Sequence, residues 1–203
     1  MKLNELIYEM GVSASPIAQH GIDLSIFKNF QPLGDKNSTI EQCYVEVSSV
    51  INHNILFRLY KDDKPVALLA ALVCPKYKNR PTIQIMRTWV EPEYRNKGLM
   101  TGFIDGLCRK WNYVIISDVA LSPESESVWK KIHATLHPSL YNMDAHTILD
   151  PTEYKFNDYF RNKGNVFLLE GPQPGPPFYI PYAYTHADIV SDYIVYMGKD
   201  GLP

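Results

Sequence analysis

Apolar and polar positions in this chain follow two periods, and each change of period marks an element. Leu3, Leu6, Ile7 and Met10 recur at i, i+3, i+4 and i+7, which predicts a short amphipathic helix that Gly11 stops. From Val12 to Asn37 the periodicity fades, with Pro16, Gly21, Pro32 and Gly34 as breakers, so a long loop with a short helical piece around Leu24 to Phe27 is expected. A second helix is expected next. Ser38 and Glu41 have capping-box spacing, and Ile40, Cys43, Tyr44, Val47, Val50 and Ile51 form one stripe.

The pattern then shortens. Ile55 to Tyr60 and Pro65 to Cys74 read as apolar strands joined by the charged tight turn Lys61 to Lys64, and a turn around Lys76 to Pro81 leads to a third strand, Thr82 to Val90. Leu99, Phe103, Leu107 and Trp111 fall four apart, with Met100, Ile104 and Cys108 widening the stripe, so a helix with one broad apolar face follows the meander. Tyr113 to Asp118 is a short, nearly continuous apolar run, as expected of a strand covered on both faces. Another helix begins at Ser122, with Pro123 at its first position and Glu124 and Glu126 in its first turn; Val128, Ile132 and Leu136 form its buried side. His146 to Leu149 and Asn165 to Glu170 read as two further strands, separated by a polar helix over Thr152 to Phe160.

Gly171 to Pro177 is too rich in proline and glycine for helix or strand and reads as a stiff linker. Beyond it lies an aromatic tail with Phe178, Tyr179, Tyr182, Tyr184, Tyr193 and Tyr196. Two readings of the tail stay open: packing back over its own domain, or a homodimer contact or lid, since tyrosine is enriched at interfaces. The division is thus a 1–37 extension, a 38–170 domain, and a 171–203 linker and tail.

Composition narrows the functional classes. The chain has 203 residues, 45% hydrophobic and 21% charged, which suits one well-buried core. Its net charge of -2 contains no run of like charges, so nucleic-acid binding through a strongly basic surface is not indicated. Cys43, Cys74 and Cys108 are odd in number and lie in apolar segments, as reduced, buried thiols would, and no cysteine has a histidine at metal-ligand spacing. No signal-peptide core and no stretch near ~20 apolar residues is present, so the expectation is a cytoplasmic protein with no membrane partner and no metal.

The segment Val90-Glu91-Pro92-Glu93-Tyr94-Arg95-Asn96-Lys97-Gly98-Leu99-Met100 runs from a strand through a basic turn into a helix. A helix start offers unpaired N–H groups and a positive dipole end, Arg95 and Lys97 add full charges, and Gly98 allows close backbone approach to an anion. An ordinary turn with solvated Arg and Lys is the alternative. The motif resembles the turn Q/R-x-x-G-x-G/A of the Gcn5-related N-acetyltransferases, which binds the pyrophosphate of acetyl-coenzyme A. Every specified position matches except Met100, whose bulk is expected to crowd the helix start.

The resemblance implies an α/β fold: a mixed, mostly antiparallel central sheet with flanking helices, like the acyl-CoA N-acyltransferases. It also implies acetyl-CoA as cofactor, with its phosphates along Arg95, Asn96, Lys97, Gly98, Leu99 and Met100. Backbone groups at Thr88, Trp89 and Val90 would hold the pantetheine arm and polarise the thioester. The family's second element, N-x-x-A-x-x-x-Y, corresponds in spacing to Ser122, Ser125 and Trp129, which would line the pantetheine and acyl end. An indole at Trp129 is no acid, so Tyr141, expected on a nearby loop, is the candidate donor to the leaving thiolate. Trp129 reads equally as a core residue. The run from Ser122 into Val128-Trp129-Lys130-Lys131 also looks like the variant second motif of bacteriophage acetyltransferase-like proteins.

An amine acceptor needs a base, because only its free form attacks. Asp118 is the first choice, since Val114, Ile116 and Asp118 alternate onto one face and the carboxylate arrives where the strands should part; a loop cap is its other reading. Glu124 and His133 rank below it. Arg87 either meets a substrate carboxylate or pairs on the sheet. The expected activity is transfer of an acetyl or short acyl group to an amine in a ternary complex. The rival is a protein that keeps the fold without the catalysis and acts as an interaction or structural module.

Overall fold

The computed structural model describes residues 27–34, 42–51, 53–78, 80–118, 120–142, 145, 147–162 and 164–171. In chain order the elements are β1 (Gln31–Pro32), β2 (Tyr44–Val47), β3 (Asn54–Lys61), β4 (Lys64–Tyr77), β5 (Arg80–Val90), α1 (Leu99–Arg109), β6 (Val114–Ile116), α2 (Pro123–Leu136), β7 (Ser139–Asn142), β8 (Thr147–Leu149) and β9 (Asn165–Leu169). Short 3-10 turns cover Pro92–Tyr94 and Phe156–Arg161. The strands form one sheet in the order β1-β2-β3-β4-β5-β6-β9-β7-β8, antiparallel throughout except for the parallel pair β5 and β6. This is the mixed, mostly antiparallel sheet with helices that the sequence led us to expect.

The meander forms as its pattern dictates. Asp62 and Asp63 both adopt left-handed φ, 49° and 58°, between the paired Lys61 and Lys64, the conformation whose twist matches a two-residue hairpin. On α1 the expected stripe is buried: Leu99, Met100, Phe103, Ile104, Leu107 and Cys108 all face inward. Ser122 caps α2 by accepting from the Ser125 N–H at 3.3 Å, with Pro123 just inside the start. Both helices contribute to one core cluster, α1 through Phe103 and Leu107 and α2 through Trp129 and Ile132, over Phe57, Leu69, Ile83, Ile115 and Phe167. The other face carries two smaller clusters, one around Leu56 and Leu68 and one around Val114, Ile116 and Tyr141. The central run Val114 to Ile116 is fully buried on both faces, as expected.

Four expectations are corrected, the first in the stretch from Val12 to Asn37 expected as a long loop, where Gln31 and Pro32 form β1 by pairing with Val47 and Glu46 of β2. The region expected to be a second helix contains β2: Val45 and Val47 are buried while Tyr44 and Glu46 are half-buried, an alternation of period 2. Antiparallel pairing with β3, Tyr44 opposite Tyr60 and Val47 opposite Phe57, outweighs the local helical stripe, which β-branched valines support only weakly. The polar helix expected over Thr152 to Phe160 is a turn followed by the 3-10 segment, whose Phe156 and Tyr159 are buried. The strand β7 was not expected, and it pairs with both β8 and β9. The first helix, the Leu24 to Phe27 piece apart from Phe27, and the tail beyond Gly171 lie outside the described residues.

Candidate functional site

The sheet opens on one side of β5. Its parallel register with β6 runs through Thr82 with Val114, Ile83 with Ile115 and Gln84 with Ile116, and then β6 ends while β5 continues to Val90. On its other edge β5 stays paired with β4, but the register slips between Ala70 and Ala71, which oppose Arg87 and Ile85, so Met86 is the extra residue of a bulge. Burial changes at the same place: Thr82 to Ile85 are buried, whereas Met86 to Val90 are half-buried. Thr88, Trp89 and Val90 thus lie on the stretch of β5 that β6 leaves uncovered, opposite Leu69, Leu68 and Ala67 of β4. Two guanidinium groups bond carbonyls on this stretch: Arg87 Nη1 donates to Met86 O at 2.7 Å, and Arg95 Nε donates to Val90 O at 2.9 Å.

The uncovered stretch leads directly to the basic turn. Asn96 has φ 60° and Gly98 φ 83°, so the chain makes two left-handed steps before α1 begins. Glycine is the residue that adopts the second without strain. Gly98 is the N-cap position, and among the described residues no side chain caps the helix and nothing lies within 4 Å of where a Cβ on Gly98 would be. Open space therefore faces a helix start whose amide groups have no side-chain acceptor. Arg95, Asn96, Lys97 and Gly98 are exposed. Leu99 and Met100 are buried in the core at 8% and 5% exposure, so the crowding of the helix start expected from Met100 does not arise. Tyr94 gathers further charge: Lys97 Nζ lies 5.8 Å and Lys61 Nζ 5.9 Å from its ring centroid. Lys61 comes from the β3–β4 hairpin, a pairing that local spacing could not reveal. The start of α2 is close enough to feel the turn. Glu124 is held below the usual carboxylate range, first by its own backbone N–H and the Ser122 hydroxyl, with Arg95 adding to the effect.

Across the opening lies the chain just past β6. Asp118 Oδ2 accepts from Arg87 Nη1 at 3.0 Å, an ion pair whose side chains are 14% and 17% exposed. The backbone behind Asp118 is pinned, because its carbonyl accepts from Ser117 Oγ at 2.9 Å and from the Tyr159 hydroxyl at 2.8 Å. Ser117 is itself tied down: its N–H donates to Phe167 O at 2.9 Å, its Oγ accepts from the Phe167 N–H at 3.0 Å, and its carbonyl accepts from Gln84 Nε2 at 3.2 Å. Burial raises the Tyr159 phenol, and the charge of Asp118 raises it further. Of the two readings of Arg87, the sheet pairing is the one seen here. The pairing partner, 31 residues away, carried no sequence signal.

The other expected residues divide between this opening and the core. Ser122 is exposed and Ser125 half-buried at the first turn of α2, with Ser122 Oγ 3.3 Å from Ser125 Oγ. Trp129 is 2% exposed and stacks on Phe167 at 5.4 Å between centroids. Tyr141 lies in strand β7, not in a loop, is fully buried in the cluster with Val114 and Ile116, and has its phenol raised by that burial. His133 packs edge-on against Tyr154 and Phe156; its Nε2 is buried with no hydrogen-bond partner among the described residues, and desolvation, with the nearby His137, lowers its pKa. A separate cavity of about 380 Å³ lies between β7, β8 and the second 3-10 segment. It contains none of the expected residues, and its Asn142 and Asn165 bond each other. Among the described residues no group of three His, Cys, Asp or Glu could hold a metal ion, and no helix is long and apolar enough to cross a membrane.

No family model and no curated protein matches this chain. Several solved structures are similar. A putative acetyltransferase of the GNAT family from Bacteroides thetaiotaomicron shares 14% identity at TM-score 0.36, over 62% of this chain and 66% of that one. An aminoglycoside acetyltransferase from an uncultured soil metagenomic sample shares 14% identity at TM-score 0.30, over 66% of this chain and 83% of that one. A protein of unknown function from Aquifex aeolicus shares 14% identity at TM-score 0.31, over 74% of this chain and 76% of that one. None of the three is described as a bacteriophage protein, so a phage origin gains no support. This chain spans just under two thirds of the Bacteroides protein, 66% of its length. At these scores the likeness carries no argument about activity, and the fold class rests on the strand order and register themselves.

Proposed function

We propose that the opening beside β5 takes an acyl-coenzyme A and that the protein transfers its acetyl or short acyl group to an amine. One observation carries this reading: a bulged strand outlasts its parallel neighbour and leads, through the Pro92–Tyr94 turn, to an uncapped helix start flanked by Arg95 and Lys97. The residues present fit the cofactor. Gly98 leaves open space in front of the amides of the first turn of α1, and those amides, with Arg95 and Lys97, would hold the diphosphate. Thr88 to Val90 would present backbone groups to the pantetheine arm in place of the strand that β6 does not provide. When bound, coenzyme A supplies an acyl thioester whose carbonyl carbon is the electrophile.

The chain's own groups then have separable tasks. Backbone N–H groups on the uncovered stretch of β5 would stabilise charge developing on the carbonyl oxygen, a contribution of about 3 to 4 kcal/mol per well-placed donor. Asp118 would take the proton of the attacking amine, for which it must exchange its bond to Arg87 for one to the acceptor. Ser122 and Ser125, at the start of α2, would border the acyl end. Trp129 acts through the core, by fixing α2 on Phe167. Water serves as proton donor to the departing sulfur, since the Tyr141 hydroxyl belongs to a fully buried side chain.

The rival, an interaction module without catalysis, is decided by the same measurement. Thermal unfolding of the full chain with acetyl-coenzyme A should show a rise in Tm, and mixtures with amines should release free thiol. A Tm unmoved at millimolar acetyl-coenzyme A would favour the interaction module.

A further inference from the structure

Resting on the acyl-transfer reading, we infer that the acceptor is a zwitterion, a free α-amino acid whose carboxylate takes Arg87 and whose ammonium takes Asp118. The argument starts from where the ion pair lies. Arg87 follows the bulge at Met86, just past the last register with β6, and Asp118 stands two residues beyond the end of β6. The pair therefore spans the mouth of the opening, where an acceptor must meet the acyl group. Asp118 is anchored from behind through the bonds to its own carbonyl, and Arg87 Nη1 divides its bonding between Asp118 and the neighbouring Met86 O. Their charged ends can change partners without moving the strands.

The exposure of these side chains, 17% and 14%, sets the selectivity. Solvent reaches the pair only in part. An acceptor with only an ammonium would take Asp118 from Arg87 and leave the guanidinium short of that counter-charge, and one with only a carboxylate would take Arg87 from Asp118. A zwitterion compensates both charges at once. Its ammonium arrives on the carboxylate that must take its proton, so binding also primes the base. A strap that merely ties the two strands together predicts no such preference.

The test uses the full-length protein, acetyl-coenzyme A, and the twenty free L-amino acids beside their carboxamides, with spermidine as an amine lacking any carboxylate. Thiol release should be seen with one or more free amino acids. Their carboxamides should fall on the order of 100-fold in kcat/KM, chiefly through KM, as when one charge of a desolvated pair is left unmatched. Arg87→Gln should bring the acid down to the carboxamide's level, and Arg87→Lys should restore part of the gap. Carboxamides or spermidine used as well as the acids, or discrimination that survives in Arg87→Gln, would overturn the inference. Should Arg87→Gln fail to fold, the comparison of acids with carboxamides on the unaltered protein decides alone. Calorimetry of the same panel without cofactor separates the two readings. Acids bound over carboxamides, with acetyl-coenzyme A unbound, would keep the zwitterion site and remove the acyl transfer; none of the panel bound, with acetyl-coenzyme A bound, would do the reverse.

Discussion

Replacing Gly98 by alanine and by glutamate separates backbone geometry from charge at the helix start. Gly98 has φ 83° and no described atom within 4 Å of a would-be Cβ, so the Cβ that both substitutions add meets no clash. Both force an L-residue into the left-handed region, at about 1 to 2 kcal/mol. For a chain of this size that lowers Tm by roughly 2 to 8 °C. Glutamate recovers about 0.3 to 1 kcal/mol from the helix dipole, so the two variants should unfold within a few degrees of each other. Their cofactor binding should differ sharply. A carboxylate about 4 Å from one phosphate charge costs about 1 to 4 kcal/mol between bulk-water and near-surface dielectrics, and a diphosphate presents two charges. Gly98→Glu should therefore weaken acetyl-coenzyme A at least about tenfold, while Gly98→Ala keeps most of the affinity. Acetyl-coenzyme A at 100 times the unaltered protein's Kd adds about 2.7 kcal/mol, or roughly 5 to 10 °C in Tm. Gly98→Ala should show most of that rise, and Gly98→Glu about half of it or less. A full rise in Gly98→Glu, or equal losses in both variants, would refute the anion site.

Three further outcomes are expected. Phe167 stacks with Trp129, Phe156 and Tyr159 at 5.4, 5.4 and 4.8 Å, so Phe167→Ala should cost about 3 to 5 kcal/mol in a urea titration, and a loss under about 1 kcal/mol would mean the ring stack contributes little. The pKa of His133 is lowered from 6.5 by burial, so the unfolded chain takes up its proton first. Stability should fall as pH drops through about 6.5 toward the folded value, and His133→Leu should flatten that part of the profile; an unchanged profile would contradict the assignment. Burial pushes the Cys74 and Cys108 thiols up to about 12, and Cys43 is also buried, so a colorimetric disulfide reagent at neutral pH should react with the thiols only after denaturation. Rapid reaction of the native protein would mean the cores open readily.

Much of the architecture was legible because its signals are local. The Asp62-Asp63 hairpin, the stripe of α1, and the Ser122-Pro123 start of α2 each lie within a few residues, and each forms as read. The segment Tyr44 to Val47 misleads because four residues satisfy two periods at once, and the choice was made by pairing with β3. Strand β7 was missed for a similar reason: Ser139–Asn142 is too short to show an alternation, and its pairing with β9 reaches 23 residues along the chain at Asn142 and Asn165. At the site, the turn was legible and its surroundings were not. Arg87 beside Asp118, and Lys61 beside Tyr94, come from elements that only the folded sheet brings together. Trp129 has the same sequence signature whether it faces a core or a pocket, and its contact with Phe167 is what distinguishes them.

The brevity of β6 has a consequence for the whole molecule. Three residues join β1–β5 to β7–β9 within the sheet, through three registered positions on one side and two on the other. That makes this seam the thinnest part of the ladder, and across it the halves are held by the shared core of Phe57, Ile83 and Phe167 and by the Lys78–Glu170 ion pair. A guest lying along the vacant flank of β5 would act as the missing length of strand, suturing the halves, so occupancy should be felt at the outermost strands as slower amide exchange.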